Sequence, residues 1–322
     1  MTNKILALDF GGTKLAAAVL DAGERDWQNY QTTLSPANAS AQTDLAIMRS
    51  LSYNLLKGEQ PVAIGVSFGG PVNATTGTVR LSHHVKGWEN IPLKQILATE
   101  FNALTVVDND ANAAAVGEHR FGTGQGYDSL LYITVSTGVG GGWILNGKPW
   151  RGHQSMAGEI GHVTVDPKGP VCLCGKRGCV ERLASGSYIA QQAKEWLQAQ
   201  AQEGQILRSL VNNDLQAITA QKVSKAAIQG DQLAIDAIEL AGWALGVGIG
   251  NVANLVNPER FILGGGVTKA GKLLWETVQR VARETALPEV SFEIVPTALG
   301  DEAPLWGAVA LAEDLLLTKE SE

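Results

Sequence analysis

The sequence predicts an α/β fold of two related lobes, from three observations. Short apolar strands alternate with helical stretches along most of the chain, the pattern of sheets covered by helices. A strand, a glycine-rich turn and a returning strand occur at residues 4–20 and again at 130–147, a coarse internal duplication. The 322 residues also exceed the roughly 100–200 of a single domain.

The elements follow in order. Lys4–Asp9 is an apolar strand ending in an acid, followed by Phe10-Gly-Gly-Thr-Lys and a second apolar run, Leu15–Leu20, which together make a hairpin. Leu45, Met48, Leu51 and Leu55 put an apolar face on a helix over 44–57. Val62–Val66 is a strand, Leu93–Glu100 a helix, Leu104–Val107 a strand and Asn112–His119 an alanine-rich helix. Leu130–Val135 restarts the pattern, and the chain returns through Trp143–Lys148. Helices are expected over 187–202, 224–228 and 232–256, the last bearing Gly242, Gly246, Gly248 and Gly250 for close packing. Arg260–Leu263 is a strand, followed by helices over 272–286 and 303–317. The boundary is placed after residue 118: residues 1–118 form the smaller lobe, with 303–322 packing back on it, and 119–302 the larger.

Composition excludes several functions. A net charge of −7 leaves no basic excess for a phosphate backbone or an anionic membrane, so neither partner is expected. The N-terminus lacks the apolar stretch and cleavage site of a signal peptide, and the apolar run at 241–256 is interrupted by Asn251 and Asn254. A cytoplasmic protein is expected. Its three cysteines all lie within 172–179, which in a reducing compartment reads as metal ligation before disulfide. Glycine is in excess: 37 of 322 residues, about 11% where about 7% is usual.

The glycines cluster in turns suited to phosphate. In Asp9-Phe-Gly11-Gly12-Thr13-Lys14 the glycines let backbone N–H groups approach an anion, while Thr13 and Lys14 add a donor and a charge. Asp9 would then hold Mg²⁺ through oxygen. A plain hairpin also explains this turn. Ser136-Thr137-Gly138-Val-Gly-Gly-Gly is a second such turn, with more glycine than a hairpin needs. Two matching turns are better explained by one nucleotide gripped from both sides. Gly264, Gly265 and Gly266, before Val267, make a third place for close approach, suited to an adenosine.

Asp108-Asn109-Asp110-Ala-Asn112 lies between a strand and a helix. Capping explains one of these polar residues but not all four. Asp110, near the helix N-terminus, suits a general base that accepts a hydroxyl proton. Further on, His162, Cys172, Cys174 and Cys179 follow at spacings of 10, 2 and 5. They supply four ligands for tetrahedral Zn²⁺ and leave no position for water, so the zinc is structural. Glu159 and Glu181 flank this knot without being needed by it, and could face a polyol. His83 and His84 lie in a loop that could line a substrate cleft, and Trp88 could stack on a sugar, although core packing also explains it.

Taken in order, Asp9-Phe-Gly-Gly-Thr-Lys, Asn109-Asp110, Ser136-Thr-Gly-Val-Gly-Gly-Gly and the His162/Cys172/Cys174/Cys179 knot resemble the ROK family (repressors, ORFs and sugar kinases), across essentially the whole chain. The resemblance implies two actin/hexokinase-like, ribonuclease-H-like lobes with ATP and sugar in the cleft between them. It implies that Asp110 is the catalytic base and Asn109 a sugar ligand. Glu159, His162 and Glu181 would bind sugar hydroxyls, and Gly70 would bound the sugar site. Gly11, Gly12, Thr13, Lys14, Thr137 and Gly138 would hold phosphates, with Gly264, Gly265, Gly266 and Val267 near adenosine. The implied activity is ATP-dependent phosphorylation of a hexose 6-hydroxyl, with ATP, Mg²⁺ and a structural Zn²⁺.

Glucose is the first expectation, because Gly117-Glu-His-Arg-Phe-Gly-Thr-Gly resembles the family's bacterial glucokinases. Ser82-His-His-Val departs from the Pro-Asn element common in those enzymes, which keeps N-acetylmannosamine, N-acetylglucosamine and fructose as alternatives. A sugar-sensing regulator without turnover is the alternative of another class. The DNA-binding module of the family's repressors is expected to be absent, since the first strand begins at Lys4. A homodimer is expected by analogy.

Overall fold

A computed structural model describes residues 3–82, 84–200 and 202–320. The chain divides into two compact units, one of Met1–Asp128, Gly142–Ala157 and Thr297–Glu322, the other of Ser129–Gly141 and Gly158–Pro296. The sequence boundary at 118 falls ten residues earlier because the helix there runs on to Phe121 and the chain stays with the first unit through Asp128. Residues 142–157, expected in the larger lobe, group with the first unit.

The first unit begins β1 (Lys4–Phe10), β2 (Lys14–Asp21), β3 (Asn29–Leu34), α1 (Ala41–Leu56), β4 (Ala63–Phe68), β5 (Val72–Asn73), β6 (Thr78–Val79), α2 (Leu93–Phe101), β7 (Leu104–Asn109) and α3 (Asp110–Phe121). Its sheet has the order β3-β2-β1-β4-β7. The three N-terminal strands are antiparallel, and β4 and β7 continue parallel to β1. β3 was not legible as a strand. Asn29-Tyr-Gln-Thr-Thr-Leu is largely polar because it lies at the sheet edge, with only one face near the core.

The side-chain period of two sorts β1 between two layers. Leu6, Leu8 and Phe10 join Leu45, Met48 and Trp88 on one face of the sheet. Ile5 and Ala7 join Ala16, Ala18, Leu305, Ala308 and Val309 on the other, where the C-terminal helix Ala303–Glu320 packs. Small residues let that helix approach closely. A Cβ on Gly65 would lie 1.8 Å from the Ala308 carbonyl oxygen, and one on Gly307 would lie 1.7 Å from that of Ala113.

Fully buried Glu118 fastens the returning chain to α3. Its Oε2 accepts from Thr123 N (2.9 Å), Thr123 Oγ1 (3.0 Å) and Ala298 N (3.3 Å), and its Oε1 from Leu299 N (2.9 Å) and the Thr297 hydroxyl. Glu118→Ala strands these donors in the interior and is expected to cost on the order of 3 kcal/mol in a urea titration. A loss below about 1 kcal/mol would mean that water replaces the carboxylate.

The second unit starts with β8 (Leu130–Val135) and the first residues of β9 (Val139–Leu145), which leads in the first unit to β10 (Lys148–Trp150). Then follow α4 (Val180–Ala184), α5 (Gly186–Ala199), α6 (Gln205–Leu210), α7 (Ala220–Ile228), α8 (Gln232–Val256), β11 (Arg260–Gly264), α9 (Lys272–Thr285) and β12 (Glu293–Pro296). β11 pairs in parallel with both β8 and β12. In α8, Gly242, Gly246 and Gly250 meet Thr277, Val281 and Thr285 of α9, where Cβ atoms would come within 2.5–2.8 Å. This helix is long and apolar enough to span a bilayer, yet 67% of its most apolar window is buried in the protein. It is a core helix.

Candidate active site

Strand register assembles one edge of the first unit. Asp9 of β1 pairs with Ser67 of β4, which pairs with Asp108 of β7, and Phe10, Phe68 and Asn109 form the next row. The carboxyl ends of three parallel strands thus meet, the edge where open α/β sheets bind ligands. Ser67 Oγ donates to Asp9 Oδ1 (2.7 Å). Burial pushes the half-buried Asp9 carboxyl up to about 7, with the Asp110 charge adding to the shift and Ser67 and Lys14 opposing it.

This shift predicts a pH dependence in Mg²⁺-free buffer. The folded protein holds a proton that the unfolded chain releases above about 3.8. The stabilisation from that proton is full below the lower value and is lost as pH rises through the upper. Asp9→Asn, which cannot ionise, is expected to gain on the order of 2 kcal/mol relative to wild type between pH 5 and pH 8. Parallel stability curves for the two proteins would refute the shift.

The strand-to-helix junction arranges the acids. Asn109 is the N-cap of α3, its Oδ1 accepting from Ala111 N (3.0 Å) and Asn112 N (3.3 Å). Its Nδ2 donates to Asp110 Oδ1 (2.8 Å) and to the Gly70 carbonyl (3.1 Å). Asp110 Oδ1 also accepts from Ala111 N (2.9 Å). These two donors fix the orientation of the half-buried Asp110 carboxyl at the N-terminus of the helix. A Cβ on Gly70 would stand 2.7 Å from the Leu81 carbonyl oxygen, so glycine keeps that backbone close.

The first glycine turn ends at Lys14, with Thr13 and Lys14 exposed. His84 lies over Gly12, whose Cβ would stand 2.5 Å from the imidazole Cδ2; His83 lies outside the described residues. Trp88 is a core residue, 1% exposed. Its ring meets Phe10 and Phe68 edge-on, so it packs beneath the loop and has no face to offer a sugar.

In the second unit, Ser136 N donates to the Gly138 carbonyl (2.9 Å), closing the second glycine turn. Glu181 Oε2 accepts from Val139 N (2.9 Å), and a Cβ on Gly138 would approach that oxygen to 2.7 Å. A cavity of about 740 Å³ opens beside the turn. It is lined by Ser136, Thr137, Gly186, Ser187, Gly266 and Val267. Gly264 and Gly265 stand behind it: Gly264 abuts the Tyr132 hydroxyl, and Gly265 (φ +89°) backs onto the Val135 carbonyl. Lys225 and Lys269 also line this cavity. Sequence reasoning missed both, because only the tertiary fold brings them to it.

His162, Cys172, Cys174 and Cys179 come together, with their ligand atoms all within 4.8 Å of one another. Hydrogen bonds from Val165 N to Gly178 O (2.8 Å) and Val180 N to Val163 O (3.0 Å) align the histidine and Cys179 segments. Gly178, at φ +59°, leaves no room for a Cβ, which would lie 1.7 Å from Asp166 O. Zinc–sulfur bonds of about 2.3 Å imply sulfur pairs about 3.8 Å apart in a tetrahedron, near the 3.5 Å between Cys174 and Cys179. His162 Nδ1 is buried with no hydrogen-bond partner, and burial pushes the Cys179 thiol up to about 12. A bound cation would relieve both. The donor set therefore fits a metal ion. Glu159, exposed, begins the 3₁₀ turn Ile160–His162.

The ROK family model matches residues 5–315. The chain is 37% identical to a glucokinase of Halalkalibacterium halodurans over 309 residues, covering 94% of this chain and 92% of that one. It is 34% identical to a glucokinase of Streptomyces coelicolor over 313 residues, covering 96% and 97%. A crystal structure of a ROK family glucokinase from Streptomyces griseus, in complex with glucose and AMPPNP, superposes with a TM-score of 0.83 at 33% identity, covering 97% of this chain and 99% of that one.

Proposed function

This chain belongs to the ROK family, and we propose that within it the protein is an ATP-dependent kinase for the 6-hydroxyl of glucose. The observation that carries the reading is Asp110, clamped by Asn109 Nδ2 and Ala111 N at the start of α3, on the edge that also presents Asp9. The glucose and AMPPNP bound by the S. griseus relative support the same substrates here.

In this reading Asp110 accepts the proton of the C6 hydroxyl as O6 attacks the γ-phosphorus. The O6–P bond forms, the bond to the bridging β,γ-oxygen breaks, and ADP leaves. Asn109 and Gly70 border the sugar, and Glu159, His162 and Glu181 take its hydroxyls. Glu181 does so through Oε1, since Oε2 holds Val139 N. Gly11, Gly12, Thr13, Lys14, Thr137 and Gly138 hold phosphates, and Gly266 and Val267 form the adenosine wall, with Gly264 and Gly265 backing it. Asp9 has the oxygen chemistry to hold Mg²⁺, which when bound supplies neutralising charge to the donor phosphates. Zinc in the cysteine knot is structural, with all four positions filled by protein.

A coupled assay with ATP, Mg²⁺ and a hexose panel tests this, with glucose expected to give the highest kcat/KM. N-acetylmannosamine or N-acetylglucosamine in first place would move the specificity. Sugar-dependent thermal stabilisation with no phosphorylation of any sugar would leave the sensor reading in its place.

A further inference from the structure

Asp108 stands two residues before Asp110, and its side chain is 2% exposed. Three hydrogen bonds and an ion-pair contact engage its carboxylate. Oδ1 accepts from Asn109 N (2.9 Å) and Asn112 Nδ2 (3.1 Å), while Oδ2 accepts from Arg151 Nε (2.6 Å) and stands 2.6 Å from one terminal guanidinium nitrogen as an ion pair. A carboxylate so buried and so engaged is committed to protein partners rather than presented to a substrate. Its partners instead span the junction: the peptide of Asn109 on one side of Asp110, the side chain of Asn112 on the other.

Arg151 reaches this point from the residue after β10, which packs beside α3. Gly142 of β9 seats the same strand pair on the first turn of the helix, where a Cβ would lie 2.2 Å from the Ala111 carbonyl oxygen. Backbone contact and guanidinium thus bear on the same turn. Asp108 is buried while the Arg151 side chain is 25% exposed; desolvation of the carboxylate offsets much of the attraction in such a pair, and fixing a geometry is one reason to retain it.

We infer that Arg151, acting through Asp108, is a positioning residue for phosphoryl transfer, holding the strand-to-helix junction so that Asp110 meets the attacking hydroxyl. This rests on the reading of Asp110 as the base. Arg151 also neutralises a buried negative charge two residues from that base. Removing the guanidinium alone leaves Asp108 charged and unpaired beside Asp110; removing both charges does not.

The test compares wild type, Arg151→Gln, Arg151→Lys, Asp108→Asn and the double variant Asp108→Asn/Arg151→Gln in the glucose phosphorylation assay. Arg151→Gln is expected to lower kcat by about tenfold or more, with KM for glucose within about threefold, as one partner of a buried pair is stranded. Arg151→Lys keeps the charge but loses the two-nitrogen grip, and is expected to fall between. The double variant is expected to regain at least about threefold of the kcat lost by Arg151→Gln, a positive coupling between the sites. Should Arg151→Gln fail to fold, Arg151→Lys and the double variant carry the comparison. Unchanged kcat in Arg151→Gln, or in Arg151→Lys where that variant stands in, overturns the inference. So does a double variant no better than the weaker single, which is what simple structural damage gives. A wild type that phosphorylates no sugar defeats the kinase reading instead.

Discussion

Asp110→Ala is expected to lower kcat for glucose by about 10²–10⁴-fold, the contribution of a positioned general base, while the dissociation constant for glucose shifts by less than about fivefold. The split follows from the local geometry. Asn109 keeps its cap on α3 through Oδ1 and its bond to the Gly70 carbonyl through Nδ2, and neither needs Asp110. The alanine has high helix propensity at this first helical position, so the fold is retained. What disappears is the carboxylate that takes the hydroxyl proton. Calorimetry for glucose binding beside steady-state kinetics separates the two effects; retained turnover would show that the base lies elsewhere.

Removal of the knot metal is expected to have the second large effect, on stability and turnover together. In the folded chain Cys172 and Cys179 are buried and His162 Nδ1 has no partner. Losing a cation there leaves an orphaned buried nitrogen and removes the ligand bonds that tie the His162 and Cys172–Cys179 segments together. The damage does not stop at the knot. Cys179 is the N-cap of α4, whose second residue is Glu181, and Glu181 holds Val139 N of the second glycine turn. Dialysis against a zinc-selective chelator is expected to lower Tm by about 10 °C or more, a few kcal/mol for a chain of this size, with kcat falling in proportion to zinc removed. Restored zinc should bring back both. Folded, active protein with substoichiometric metal would remove zinc from the account.

The alternation of strands and helices was legible because it rests on local periodicity. The helix over 232–256 was read to the residue, and the strand over 130–135 likewise. Elements without an apolar period escaped: polar β3 at the sheet edge, the short helices α4 and α6, and β12. The knot was visible because its ligands are rare residues at close spacing. Asp108 shows the limit. The sequence placed it in an acidic cluster but held no sign of its partner, since Arg151 lies 43 residues away and reaches it only through the fold. The glycine excess also reads differently in three dimensions. Gly138 makes room for Glu181, Gly142 for α3, and Gly65 and Gly307 for the C-terminal helix and α3. Much of that excess serves packing behind the turns, where neighbouring backbone and side chains leave no space for a methyl group.

The place of the C-terminal helix imposes an order on synthesis. Its residues Leu305, Ala308, Val309 and Ala312 cover Ile5, Ala7 and Ala18 of the first strands, yet the ribosome makes them only after the second unit. At about 5–20 residues per second, the early sheet waits many seconds with one apolar face bare while the whole second unit is translated. A nascent chain halted anywhere before Ala303 would display that face to solvent.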